Sequence, residues 1–256
     1  MQGWATNALF RGAGRFAGRM TDHFVTVADA MRDQYLAAGI GQADDYTRIP
    51  SGFDLQPFLD AENSAAKRES LGLSPGDFVV GKIARLFELK GHDDLFAIAP
   101  RLARRIPNIR FLLVGDGVWR GRFERLAKEI GCGQNFIFTG LVPPSEIPSL
   151  VGVMDALVHL SRREGLPRAL PQAMAAAKPV VAYDCDGAGE VCLDGKTGHL
   201  IEPGDLAKLE ERLAKLTNDA PLRTALGQAG RKLVEEEFTV ELLVERQYEL
   251  YKRLLA

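Results

Sequence analysis

Two hydrophobic periods alternate along most of the chain. From residue 78 onward, short runs of adjacent apolar and β-branched residues are separated by longer stretches whose apolar positions recur every three to four residues. The first pattern suits a strand buried on both faces, the second a helix with one apolar side. FVVGKIARL (78–86), IRFLLVGDG (109–117), NFIFTGL (135–141), DALVHLS (155–161), KPVVAYD (178–184) and TGHLIEP (197–203) therefore read as strands. Between them, GHDDLFAIAPRLARRIP aligns Leu95, Ile98, Leu102 and Ile106 on one helical side, and WRGRFERLAKEIG reads as a helix closed by Gly131. PPSEIPSLVGVM predicts a short helix with Ser145 as its N-cap, and a further helix is expected over 166–177. Beyond Asp205 the spacing predicts three helices, 205–217, 220–236 and 239–255. Strands and helices alternating at this spacing imply an α/β fold, a doubly wound parallel sheet, here followed by a helical C-terminal tail.

The first fifty residues differ. HFVTVAD is a single strand candidate between two helical stretches, and a lone strand can neither satisfy its backbone nor bury its faces. IPSGFD (49–54) reads as a linker, because Pro50 and Gly52 break regular structure. Residues 1–50 therefore look like the tail of another α/β domain. Either a partner supplies the rest or the chain is a fragment, and the fragment reading is preferred. At the N-terminus, Arg11, Arg15 and Arg19 recur at helical spacing beside Leu9, Phe10 and Phe16. An amphipathic surface helix is favoured there over membrane contact or targeting.

Composition narrows the classes. A formal net charge of -2 without a run of Lys and Arg argues against non-specific nucleic-acid binding. Three cysteines with no CxxC pair argue against a disulfide framework or structural zinc, and a reducing cytosol fits best, so a cytoplasmic protein is expected. No apolar stretch reaches the roughly 18 residues that span a bilayer.

In an open parallel sheet, ligands bind at the carboxyl ends of the strands. Arg85 and Lys90 fall where the first strand of this series turns into its helix, and two cations there suit a diphosphate. Spacing alone also allows a pair of solvated charges. Gly115, Asp116 and Gly117 end the next strand and are candidate donor-binding residues; the glycines could admit a ligand or simply make a tight turn, and GDGVWR lacks the third glycine of a dinucleotide fingerprint. In SRREGLPRALPQAMAAAKPVVAYD, Glu164 and Gly165 lead into a helix, with Pro167 suited to its first turn and Pro171 forcing a late start or a bend. Glu164 then sits as a carboxylate at a helix N-terminus, or as a simple cap.

Together these segments resemble the C-terminal, donor-binding domain of the retaining GT-B glycosyltransferases of family four (glycosyl transferases group 1), from about His23 to Tyr251. TDHFVTVADAMRDQYLAAGI is similar to the last strand and helix of that family's N-terminal domain, and IPSGFDLQPF to its interdomain segment, with Ser51 where Asn is usual. GKIARLFELKGHDDL resembles the donor-phosphate loop, FLLVGDG the second strand and its loop, and FTGLVPPSEIP the loop beside the base. The resemblance implies a Rossmann-like domain over 51–238, a remnant of the acceptor domain over 1–50, and a terminal helix, 239–256, returning toward that domain with Leu242, Leu243, Tyr248 and Tyr251 partly uncovered.

It also implies roles. Arg85 and Lys90 would neutralise the donor diphosphate, and Glu164, first carboxylate of a Glu-x7-Glu motif, would lie at the donor sugar beside Gly165 and Leu166. Gln172 stands in place of the second Glu, at the nucleotide ribose, and Leu141 and Val142 meet the base through their backbone. Ala177 replaces a frequent glycine, a change read as neutral. Of the histidines, His92 is read as a helix-start residue and His159 as core. The implied activity is metal-independent, cofactor-free hexosyl transfer, with retention, from a nucleoside-diphosphate sugar to a sugar, lipid-linked or small-molecule acceptor, in cell-envelope or polysaccharide biosynthesis. The acceptor site and a catalytic histidine would lie in the missing N-terminal portion, as would any peripheral membrane contact, so the chain alone is expected to bind donor and catalyse little. Two alternatives remain: a donor-binding subunit that needs a separate partner, and a GT-B sugar-nucleotide epimerase, which the Arg85, Lys90 and Glu164 set fits less well.

Overall fold

The computed structural model describes residues 4–256, with side chains from Ala8 onward, so the first three residues of the 1–50 segment lie outside the described residues. The chain divides into two compact units: the stretch up to Phe53 together with Phe238–Ala256, and Asp54–Glu237.

In the first unit, α1 (Trp4–Gly18) and β1 (Phe24–Thr26) are followed by α2 (Asp29–Ala37) and β2 (Tyr46–Arg48). The strand expected to stand alone is paired: β1 runs parallel to β2, and the Phe24 and Tyr46 rings stack at 4.7 Å. β2 escaped the pattern because Tyr46–Arg48 offers no run of apolar and β-branched residues such as the FVTV around β1. On α1, Leu9, Phe10 and Phe16 are exposed, and Arg15 Nε donates to the Ala38 carbonyl at 2.7 Å.

The second unit opens with two short helices, α3 (Gln56–Leu59) and α4 (Ala65–Ser70), capped by Ser64. It continues as β3 (Phe78–Ile83), α5 (His92–Arg105), β4 (Ile109–Val114), α6 (Arg120–Glu129), β5 (Phe136–Gly140), α7 (Ile147–Gly152), β6 (Ala156–His159), α8 (Ala169–Ala175), β7 (Val180–Tyr183), β8 (Gly198–Ile201), α9 (Leu206–Asn218) and α10 (Ala220–Glu237). The last helix, α11 (Val240–Leu255), belongs to the first unit, where Arg253 Nη2 donates to Thr47 Oγ1 at 2.9 Å. Tyr248 and Tyr251 on it are exposed, while Leu242 and Leu243 are half-buried.

The six strands β3–β8 form one parallel sheet in the order β5-β4-β3-β6-β7-β8. α5 lays Leu95, Ile98 and Leu102 against it, all fully buried, in one core with Val80, Phe111 and Leu113. Each such side chain contributes about 2 kcal/mol of apolar burial.

Two local expectations change. Ser145 lies in a 3-10 turn rather than capping α7, whose N-cap is Glu146 without a side-chain bond. α8 starts at Ala169, so Pro167 precedes it, and Pro171 is its third residue, where a backbone N–H would have no helical partner anyway.

Candidate functional site

A parallel sheet opens a crevice where neighbouring strands send their connections to opposite sides. Here β3 leads to β4 on one side and β6 to β7 on the other, so the reversal falls between β3 and β6. The loop after β3 carries Lys90 and the loop after β6 carries Glu164. Lys90 Nζ donates to Glu164 Oε2 at 2.6 Å. Residues 74 positions apart thus meet across the reversal.

The backbone that presents Lys90 is strained. Leu89 has φ 67°, in the left-handed region that a side-chain-bearing residue enters at a cost of about 1–2 kcal/mol. Gly91 follows at φ 64°, and a Cβ there would lie 2.0 Å from the Leu160 carbonyl oxygen. The Arg162 amide donates to the Leu89 carbonyl at 2.8 Å, joining the two loops. On the other flank, Asp186 after β7 (φ 50°) accepts the Glu164 amide at 2.5 Å, and the Gly187 amide donates to the Gly165 carbonyl at 3.0 Å. Asp94 on α5 accepts from the Tyr183 hydroxyl at 2.8 Å and from Arg162 Nη2 at 2.7 Å.

Several polar groups under this crevice are buried. Lys82, on β3, is 1 % exposed; burial and then the Lys90 charge push its pKa down to about 7, against the pull of Asp94 and Glu164. His92 begins α5 as expected, its ring 5.1 Å from Phe123, and is pushed down to about 2 by burial, Lys82 and Lys90. His159 is buried as expected of a core residue and pushed down to about 3 by the same causes, but its Nε2 also stands 3.6 Å from Glu164 Oε2. Both rings are neutral near pH 7.

Other expected residues are arranged as follows. Arg85 is exposed, its guanidinium 5.9 Å from the Phe87 ring, and forms no ion pair among the described residues. The glycines after β4 serve backbone packing: a Cβ at Gly115 would lie 2.3 Å from the Ala84 carbonyl oxygen, and one at Gly117 would lie 2.4 Å from that of Leu86. Asp116 is already engaged, with Oδ1 accepting the Gly117 amide at 2.7 Å and Oδ2 facing Arg120 at 3.2 Å. The Gly117 N–H is the main reason its carboxyl is held below the usual range. Leu141 is exposed and Val142 half-buried just beyond β5. Gln172 is half-buried on α8, and Gly165 and Leu166 are half-buried in the loop before it. Glu164 is not a helix cap, because α8 begins five residues later and the carboxylate is taken by Lys90. The sequence reading missed Lys82, Asp94 and Asp186. Only Lys82 left a signal, as the one charge inside an otherwise apolar buried strand.

Among the described residues, no helix is long and apolar enough to cross a membrane, and no group of three or more His, Cys, Asp and Glu side chains could hold a metal ion.

The family model described as "Glycosyl transferases group 1" matches residues 63–233, which include every strand of the six-stranded sheet and both loops of the crevice. The chain is 31% identical over 237 residues to the GDP-mannose-dependent alpha-(1-6)-phosphatidylinositol monomannoside mannosyltransferase of Mycolicibacterium smegmatis, covering 90% of this chain and 62% of that protein. It is similar to the crystal structure of HepE from Anabaena in complex with UDP, with a TM-score of 0.87 at 25% identity, covering 98% of this chain and 69% of that one. A crystal structure of the C-terminal domain of the glycosyl transferase group 1 family protein LpcC from Francisella tularensis matches 74% of this chain and 100% of its own, at 26% identity and a TM-score of 0.67. The chain spans 62% to 65% of the length of the mannosyltransferase relatives that it matches over most of its own length. With the family model covering more than half of its residues, and with a Rossmann-like GT-B domain whose strand reversal brings Lys90 onto Glu164, the chain belongs to the glycosyl transferases group 1 family.

Proposed function

We propose that the crevice between β3 and β6 binds the diphosphate of a nucleotide sugar, and that this chain is the donor-binding half of a hexosyltransferase. The carrying observation is the contact of Lys90 with Glu164 at 2.6 Å, which sets a cation and a carboxylate at one point of the strand reversal. Glycosyl transfer breaks the bond between the anomeric carbon and a phosphate oxygen, so negative charge grows on the departing diphosphate. Fixed donors aimed at that charge accelerate the step. Lys90 and Arg85 are assigned to it, with no divalent cation required; Glu164, Gly165 and Leu166 face the sugar, which is transferred with retention. Gln172 takes the ribose, and Leu141 and Val142 the base. Asp116, held by Arg120, is assigned to the shape of the loop instead. Relatives named for GDP-mannose and a similar fold crystallised with UDP support a nucleoside-diphosphate donor. The acceptor is a sugar, lipid or small molecule held elsewhere in the whole protein, which acts at the cytoplasmic side of envelope or polysaccharide assembly.

Calorimetric titration of the chain with UDP, GDP and ADP tests this. One base should bind preferentially, and Lys90→Ala should weaken it at least about tenfold, the order expected for losing a charged hydrogen bond to phosphate. In the whole enzyme the same change should cost on the order of a hundredfold in turnover. Unaltered affinity and turnover in the variant would rule the assignment out.

A further inference from the structure

Three buried polar atoms near the Lys90–Glu164 contact have no hydrogen-bond partner: His92 Nδ1, His159 Nε2 and Ser161 Oγ. Burying such an atom unpaired is unfavourable, and where several gather beside a crevice they mark groups that a bound state can satisfy. His159 Nε2 is the one that faces a charge. It stands 3.6 Å from Glu164 Oε2, the same oxygen that Lys90 Nζ holds at 2.6 Å. The gap is just too long for a hydrogen bond, and the closer ion pair fills the carboxylate's need.

We propose that His159 is a positioning residue for Glu164: a diphosphate in the crevice draws Lys90 onto its own oxygens, and His159 Nε2–H takes over the carboxylate oxygen that Lys90 leaves, holding it for a hydroxyl of the donor sugar. The proposal rests on the donor-site reading above. A diphosphate outcompetes a single carboxylate for an ammonium because it carries more charge on several converging oxygens. The carboxylate left behind is only 30% exposed and would be costly without a donor. His159 suits the task on two counts. Its ring is neutral and so donates one hydrogen bond without adding a competing cation beside Lys90. Its backbone is fixed in β6 by pairing with Ala182 of β7, so the ring is held on a rigid element.

The test compares a nucleotide sugar with the same nucleotide lacking the sugar. The native chain is titrated with UDP-glucose and UDP, and with GDP-mannose and GDP, and the pair that binds is carried forward. His159→Phe keeps a flat ring and removes the N–H. It is expected to weaken both ligands, because either diphosphate draws Lys90 away from Glu164, and to weaken the nucleotide sugar roughly tenfold more than the nucleoside diphosphate, because only the sugar also loses the positioned carboxylate. His159→Gln, whose amide N–H reaches about as far as Nε2, restores most of the loss. Equal loss for both ligands, as a purely structural role predicts, or no loss for either, overturns the proposal. If His159→Phe fails to fold, the native protein still decides: with 15N-labelled histidine, and His159→Gln for assignment, saturating nucleoside diphosphate should move the His159 Nε2–H signal downfield and slow its exchange. An unmoved signal overturns the proposal. A native chain that binds neither pair overturns the donor-site reading itself, and this inference with it.

Discussion

Lys82 shows how far one side chain can depart from its usual chemistry. It sits in a strand whose other residues are apolar or glycine, 1 % exposed, with Lys90, His92 and Asp94 from the β3 loop and α5, and His159 and Glu164 from β6 and its loop, around it. An unfolded lysine titrates near 10.4; Lys82 is pushed down to about 7 when folded. Between those values the unfolded chain binds more protons than the folded one, so stability rises with pH through that window. Below pH 7 the folded state bears the full cost of a buried ammonium. Lys82→Met should therefore stabilise the protein at pH 6.5 by on the order of a few kcal/mol, with the gain shrinking toward pH 10. Urea midpoints at both pH values measure it, and a gain independent of pH would show that no buried charge is involved. Keeping an unfavourable charge beneath the crevice is what the proposed donor site would call for, since an incoming polyanion would offset it.

At the scale of elements, the hydrophobic periods located every strand of the large sheet and the helices from α5 to α10 to within a few residues, because a strand buried on both faces and a helix packed along one side each leave a regular trace; the two short helices α3 and α4 were not read. Ends were less legible. The helix expected from 166 begins at 169, since Pro167 and the polar run before it favour an irregular loop that carries Glu164 across to Lys90. At its other end the Ala177 and Lys178 amides bond back to the Met174 and Ala173 carbonyls, a closing turn that places Ala177 at φ 52°. Reading that alanine as neutral missed the strain, because φ is not written in composition. Ala177→Gly should relieve it and stabilise the chain by up to about 1 kcal/mol, seen as a higher urea midpoint with an unchanged slope. A lower midpoint would mean that the alanine methyl packs better than its backbone suffers.

At the scale of the whole molecule, the core with its crevice lies within Asp54–Glu237. The matching LpcC domain, solved as a separate chain, is a precedent for such a unit. Residues 54–237 expressed alone should unfold in one cooperative transition and bind the preferred nucleoside diphosphate within about threefold of the full chain, a modest change of well under 1 kcal/mol. A fragment that folds but has lost binding would place part of the site outside this unit.

The sequence by itself determined the α/β class, the succession of strands and helices, and the loops on which Arg85, Lys90 and Glu164 fall, because burial acts on each segment locally and leaves its period behind. Only the tertiary structure decided that β1 has a partner in β2, that Gly115 and Gly117 are required by neighbouring backbone, and that Lys90 holds Glu164 with Lys82, His159 and Asp186 around them. Most of these meetings join residues tens of positions apart, and their distances follow from strand order and register, which no single segment encodes.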